Sequence, residues 1–227
     1  MNFDLLKSNY DILVQKVLEY EKKYSIKNAV DLLIASKNLN KQQIEFIISN
    51  TTHKLFGENK VQDAYEKWEE TLSKDGNELN LHFIGKLQKN KVKKAVQLFN
   101  VIETIDSEEL ACNLHEEALN QKKNLKIFLQ INIGSEDQKN GILPEEFEKI
   151  YNNIRKKDII IDGIMCIPPK NDDTFFYFGF MKKIARDFGI KNISMGMSND
   201  FETAIKFGTT QIRIGDFITS APSTEII

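Results

Sequence analysis

Cysteine is scarce: Cys112 and Cys166 are the only two in 227 residues, too few for a disulfide framework or a cysteine-built zinc site. That usage fits a reducing compartment, and a cytoplasmic location is expected. An excess of charge of one sign is also missing. Lys and Arg number 31 against 33 Asp and Glu, a net charge of −2, which gives no global pull toward nucleic acid or a membrane surface. No apolar run approaches the length of a membrane span. The start, "MNFDLLKSNYD", lacks the basic-then-apolar pattern of a signal peptide. There is no linker, low-complexity stretch or visible boundary, so residues 1–227 are expected to form one domain. What remains is ordinary globular material, 41% hydrophobic and 28% charged, on a chain long enough to bury a core.

Two periodicities alternate along it. Phe3, Leu6, Tyr10, Leu13, Val17 and Tyr20 lie three and four apart, which predicts an N-terminal helix. Short apolar runs follow: "VDLLIAS" (30–36), "HKLFG" (53–57), "LHFIG" (81–85), "VIETID" (101–106), "KIFLQINI" (126–133), "IIIDGIMCI" (159–167), "ISM" (193–195) and "QIRIG" (211–215). Helical segments separate them. Asn40 with Gln43, Asn59 with Gln62 and Asp106 with Glu109 read as capping boxes, Pro144 as a first-turn residue and Gly189 as a helix end. Continuous apolar strands alternating with amphipathic helices imply a parallel sheet covered on both faces. About eight such steps, the last helix absent or very short, predict an α/β fold: a single (β/α)8 TIM barrel with an extra N-terminal helix. A doubly wound open sheet is the alternative.

A parallel barrel carries its site at the C-terminal ends of its strands, with a phosphate subsite in the loops after the seventh and eighth. Here those loops hold Gly196, Met197, Ser198 and Asn199, then Gly215. Backbone N–H groups, a serine hydroxyl and close-approaching glycines suit an anion. The plain alternative is that Ser198 or Asn199 caps a helix, with Glu202 completing a box on Asn199. Arg213, two residues before Gly215, shares its strand face; it is either near the anion or part of a polar inner layer. Lys37 ends the first strand, where desolvation and nearby cations lower an amine's pKa and make it nucleophilic toward an aldehyde. It also reads as a solvated loop lysine. Amine, anion cradle and arginine together suit pyridoxal 5′-phosphate (PLP).

The motifs "IASKN" (34–38), "FGENKVQDA" (56–64), "HFIGKLQKNK" (82–91), "MCIP" (165–168), "SMGMSNDFETAI" (194–205) and "RIG" (213–215) resemble the pyridoxal-phosphate homeostasis protein family. The resemblance covers nearly the whole chain and implies a barrel like the N-terminal domain of alanine racemase. It implies that Lys37 holds PLP covalently as a Schiff base (an aldimine). Met197, Ser198, Asn199 and Gly215 would hold the phosphate, and Arg213 would face the pyridine nitrogen. Asn59 would hydrogen-bond near the ring oxygen, and Met165 would pack on the ring. The implied role is non-catalytic, in vitamin B6 balance, with PLP-dependent enzymes as recipients of the cofactor. Two departures stand out. Asp216 follows "RIG" where the family has a small or hydroxyl residue, and a carboxylate there would repel a phosphate unless it points away. The end, "FITSAPSTEII", lacks the family's glycine-containing continuation.

A PLP-dependent amino-acid racemase is the alternative function. Arginine is always protonated, so facing the pyridine nitrogen it favours an unprotonated ring, a poor electron sink. A two-base racemase also needs a second acid or base, usually a tyrosine, supplied in the resembling enzymes with a further C-terminal domain. The chain ends soon after the eighth strand, and Tyr10, Tyr20, Tyr65, Tyr151 and Tyr177 all lie away from predicted strand ends. A monomeric cofactor-holding protein is therefore expected. Lys86, Lys89, Lys91, Lys93 and Lys94 read as a solvated helix face, because aromatic interleaving is missing, and no nucleic-acid or membrane partner is expected. His82 and Cys166 read as core residues, and no metal set stands out.

Overall fold

The structure, a computed structural model, describes residues 3–74, 78–170 and 172–220. An N-terminal helix α1 (Phe3–Lys23) precedes β1 (Asp31–Ala35), α2 (Lys41–Asn50), β2 (Leu55–Glu58), α3 (Val61–Lys74), β3 (Asn80–Phe83), α4 (Val92–Leu98), β4 (Val101–Ile105), α5 (Glu108–Asn120) and β5 (Lys126–Ile131). Then come α6 (Pro144–Arg155), β6 (Gly163–Cys166), α7 (Thr174–Asp187), β7 (Asn192–Ser194), α8 (Phe201–Lys206), β8 (Gln211–Ile214) and α9 (Asp216–Thr219). The strands pair in chain order, all parallel, and β8 closes on β1 from Asp31↔Gln211 to Ile34↔Ile214. That closure excludes the doubly wound sheet.

Strand alternation sorts the side chains into two compartments. Ile34, Phe56, Leu81, Phe83, Ile102, Leu129, Ile164, Ile193, Ile212 and Ile214 join one continuous cluster with the helices. Leu33, Val101, Phe128 and Met165 are equally buried but stand apart from it, inside the barrel. Both faces of each strand are thus dry, which is why the strands read as unbroken apolar runs. Helix α1 buries Leu6, Asn9, Tyr10, Leu13 and Val17. Asn9 Nδ2 donates to the carbonyls of Ile218 (3.1 Å) and Ser220 (2.9 Å), fastening the four-residue α9. The N-terminal helix so covers the seam where α8 and α9 are short. Most of the departing tail, residues 221–227, lies outside the described residues.

The Asn40–Gln43 capping box forms in both directions at 2.9 Å, and Pro144 opens α6. Gly189, at φ +67°, ends α7 with its own N–H on the Arg186 carbonyl and that of Ile190 on Ala185, a Schellman motif. The other expected boxes differ. Helix α5 is capped one residue later, by Ser107, whose hydroxyl accepts from Leu110 N–H. Helix α3 starts at Val61, and the first carbonyl in its ladder is that of Lys60, so Asn59 is not its cap. Asp200 occupies the cap position of α8, while Glu202 turns to Lys23 and Tyr24.

Candidate functional site

Lys37 lies in a single 3₁₀ turn, Ser36–Asn38, at the C-terminal end of β1. The turn is held from behind. Ser36 Oγ donates to Glu58 Oε1 at 2.7 Å and lies 3.1 Å from the Gly57 carbonyl. Lys67 Nζ, from α3, donates to the carbonyls of Ser36 (3.0 Å) and Lys37 (3.2 Å) and pairs with Glu58 at 3.3 Å. Trp68 Nε1 adds a third donor to the same Glu58 oxygen at 3.1 Å. Against this fixed backbone the Lys37 side chain is exposed, with no hydrogen bond or ion pair among the described residues. Glu58, Lys67 and Trp68 were not among the residues singled out from sequence; a glutamate ending an otherwise apolar strand was the available signal.

Across β1 stands the end of β8. A Cβ on Gly215 would lie 3.3 Å from Ala35 Cβ, so this glycine abuts the strand that carries Lys37. Asp216 follows as the exposed first residue of α9. In the loop after β7, Gly196 adopts φ +98°, and a Cβ there would sit 2.5 Å from Ala204 Cβ. Only glycine makes that turn without strain. The helix expected directly after Asn199 starts at Phe201, so Ser198 and Asn199 lie in a turn, not in the first helical residues. Both are without hydrogen-bond partners among the described residues. Met197 N–H, by contrast, donates to Asp200 Oδ1 at 2.6 Å. Burial raises the Asp200 carboxyl's pKa, against the opposing Met197 bond and the Arg213 charge. A carboxylate, that of Asp200, therefore stands beside the cradle. Asn59, half-buried, follows β2 with no side-chain bond.

Arg213 and Met165 lie inside the barrel. Arg213 Nη1 donates to Ser194 Oγ at 2.7 Å and Nη2 to the Cys166 carbonyl at 2.9 Å. Met165 pairs in register with Ser194, adjacent to that bond. Ser194 Oγ donates to Glu103 Oε2 at 2.6 Å, while Gln211 Nε2 and His82 Nδ1 each lie 2.6 Å from Glu103 Oε1. Burial pushes the Glu103 carboxyl up, but the His82 bond, the His82 and Arg213 charges and the Ser194 hydroxyl outweigh it, holding the group below its usual range. His82 is the expected core histidine, though only half satisfied: its Nε2 is buried without a partner among the described residues. Burial pushes the Cys166 thiol up to about 12, which makes it inert.

Residues 38–221 match the family described as "Alanine racemase, N-terminal domain". A "Pyridoxal phosphate homeostasis protein" of Helicobacter pylori is 34% identical over 92% of this chain and 95% of its own length. The chain belongs to the pyridoxal phosphate homeostasis protein family. PipY of Synechococcus elongatus, solved with PLP bound, superposes with a TM-score of 0.76 at 28% identity, over 90% of this chain and all of PipY. The alanine racemase of Clostridium difficile, 14% identical, has a TM-score of 0.69; it covers 99% of this chain with 59% of itself and shares the fold alone. For a member of the homeostasis family, the structure brings Lys37, Gly215 and the strands bearing Arg213 and Ser194 to adjoining positions. No side-chain bond joins Lys37 or Asn59 to the others among the described residues. No helix among the described residues is long and apolar enough to cross a membrane.

Proposed function

We propose that this chain binds pyridoxal 5′-phosphate through Lys37 and takes part in intracellular vitamin B6 homeostasis, holding the cofactor for PLP-dependent recipients without turnover of its own. The observation that carries the reading is the partnerless Lys37 amine on a turn clamped by Glu58 and Lys67, next to the β8 end. The residues fit the group. The bound cofactor supplies an aldehyde carbon and an electron-accepting ring. Lys37 would hold the group through its amine, which its fixed backbone keeps in place. Ser198 and Asn199 offer uncommitted backbone N–H groups and side chains to a phosphate, with the Gly215 backbone close by. Met197 contributes its N–H to an anion only by giving up Asp200. Arg213 keeps N–H groups for a ring nitrogen, Met165 backs the ring, and Asn59 has a free amide for the ring oxygen. Family relatives named for homeostasis support a carrier over a racemase. So does Arg213, since a guanidinium withholds the proton that would make the ring a strong electron sink.

The test is the visible spectrum of the protein mixed with PLP, wild type beside Lys37→Ala, followed by borohydride reduction and peptide mass mapping. A band in wild type only, with the added mass on Lys37, is expected. Racemase assays on the same loaded sample should give no alanine racemisation above free PLP. A band that survives Lys37→Ala would sink the assignment.

A further inference from the structure

His82, Glu103, Ser194, Gln211 and Arg213 occupy a barrel interior that branched apolar side chains fill equally well. A buried carboxylate and guanidinium gain little over such packing once their desolvation is counted. The bonds among them have a direction. Ser194 spends its one proton on Glu103 Oε2, so its lone pairs are what Arg213 Nη1 and Gln211 Nε2 (3.0 Å) meet. With the hydroxyl reversed, Arg213 would face a hydrogen. Glu103 makes no bond to Arg213, yet it orients the group that holds it and supplies the buried counter-charge. The bond from Ser194 to Glu103 runs between β7 and β4, which are not neighbours in the sheet, so it crosses the lumen. The network takes two of the five guanidinium N–H groups; the other three have no partner among the described residues.

We propose that Glu103 is a positioning residue for ligand recognition: through the Ser194 hydroxyl it sets the Arg213 guanidinium so that its unused N–H groups meet the ring nitrogen of a bound pyridine. This rests on the PLP reading above. Replacing Glu103 by Gln keeps the shape but removes the charge. It also sets an amide N–H2 against the Ser194 proton or the Gln211 donor.

The experiment titrates two ligands, PLP and its 1-deaza analogue with carbon in place of the ring nitrogen, into wild type, Glu103→Gln and Ser194→Ala. Wild type should prefer PLP by about tenfold, and both variants should lose that preference while binding the deaza analogue within about twofold of wild type. A merely structural role would weaken both ligands alike, and that result overturns the proposal. So does a preference retained in both variants, or a wild type that binds the two ligands equally. If Glu103→Gln does not fold, Ser194→Ala decides by the same criterion. If wild type forms no Lys37-bound product with PLP, the cofactor reading itself fails, whatever the variants do.

Discussion

The two sides of the barrel wall each bury one glutamate and one histidine, and they use them differently. On the helix side, His53 sits against Tyr10 and Phe56, ring centroids 5.5 and 4.9 Å away, and its Nε2 donates to the Leu55 carbonyl at 2.6 Å. Glu58, on the same side, takes Ser36, Trp68 and Lys67. The partners of Glu58 are at most 22 residues away in sequence. Inside the barrel, His82 and Glu103 bind each other, and Glu103 reaches partners 91 and 108 residues away. The helix-side groups hold local backbone, including the turn of Lys37. The lumen groups join non-neighbouring strands and hold one guanidinium. Burial is equal on both sides; what differs is whether the partner is supplied by the local chain or by barrel closure.

The largest effect should come from emptying each side in turn. Glu103→Ala leaves three donors without their acceptor and a buried guanidinium without its counter-charge, an expected loss of about 3–5 kcal/mol in urea unfolding. Glu58→Ala should cost less, about 2–3 kcal/mol, because the Lys67 amine is only partly covered and can turn to water. Equal losses would break the distinction between the two sides.

Next is a pH effect confined to the helix side. Burial lowers the His53 pKa to about 4, against 6.5 for the free side chain, with the Leu55 bond opposing weakly. Between those values the unfolded chain takes a proton that the native chain refuses. Stability is therefore full above pH 6.5 and falls as pH drops toward 4, by on the order of 3 kcal/mol. Subtracting the same profile for His53→Phe should isolate that slope; a flat difference would contradict it.

Gly196→Ala probes the point where the sides meet. Its Cβ would strike Ala204 of α8, while the Gly196 carbonyl accepts from Arg213 N–H. About 2 kcal/mol should be lost, with weaker anion binding measured by phosphate titration. The smallest change is Asn40→Ala, a purely local cap on the helix side. It should cost about 1 kcal/mol by thermal melting and leave ligand binding unchanged.

Much of the fold was legible. The 3.6 period of α1, the apolar runs, Pro144 and Gly189 are local signals read from a few residues at a time. The misplaced caps show the limit of that reading. Ser107 beats Asp106 because neighbouring residues with equal capping ability are separated only by where the strand releases the chain, and at α8 the residue in the cap position, Asp200, turns its carboxylate to Met197 N–H. In the candidate site, Lys37 and Arg213 stood out as cations at or within strands. Glu103, in "VIETI", carried the same signal as Arg213 and was passed over. Ser194 and Gln211 are small polar residues with nothing in their flanks to name a partner.

The sequence by itself determined the alternation of strands and helices, and with it a parallel sheet and its chemically loaded end, since those follow from periodicity and the direction of parallel strands; that the sheet closes into a barrel was decided by the pairing of β8 with β1. Only the tertiary structure decided that Met197 N–H goes to Asp200 and that Glu103 governs Arg213 through Ser194. Closure of the barrel sets β4 across the lumen from β7 and β8, and side chains that meet across a lumen share no local pattern.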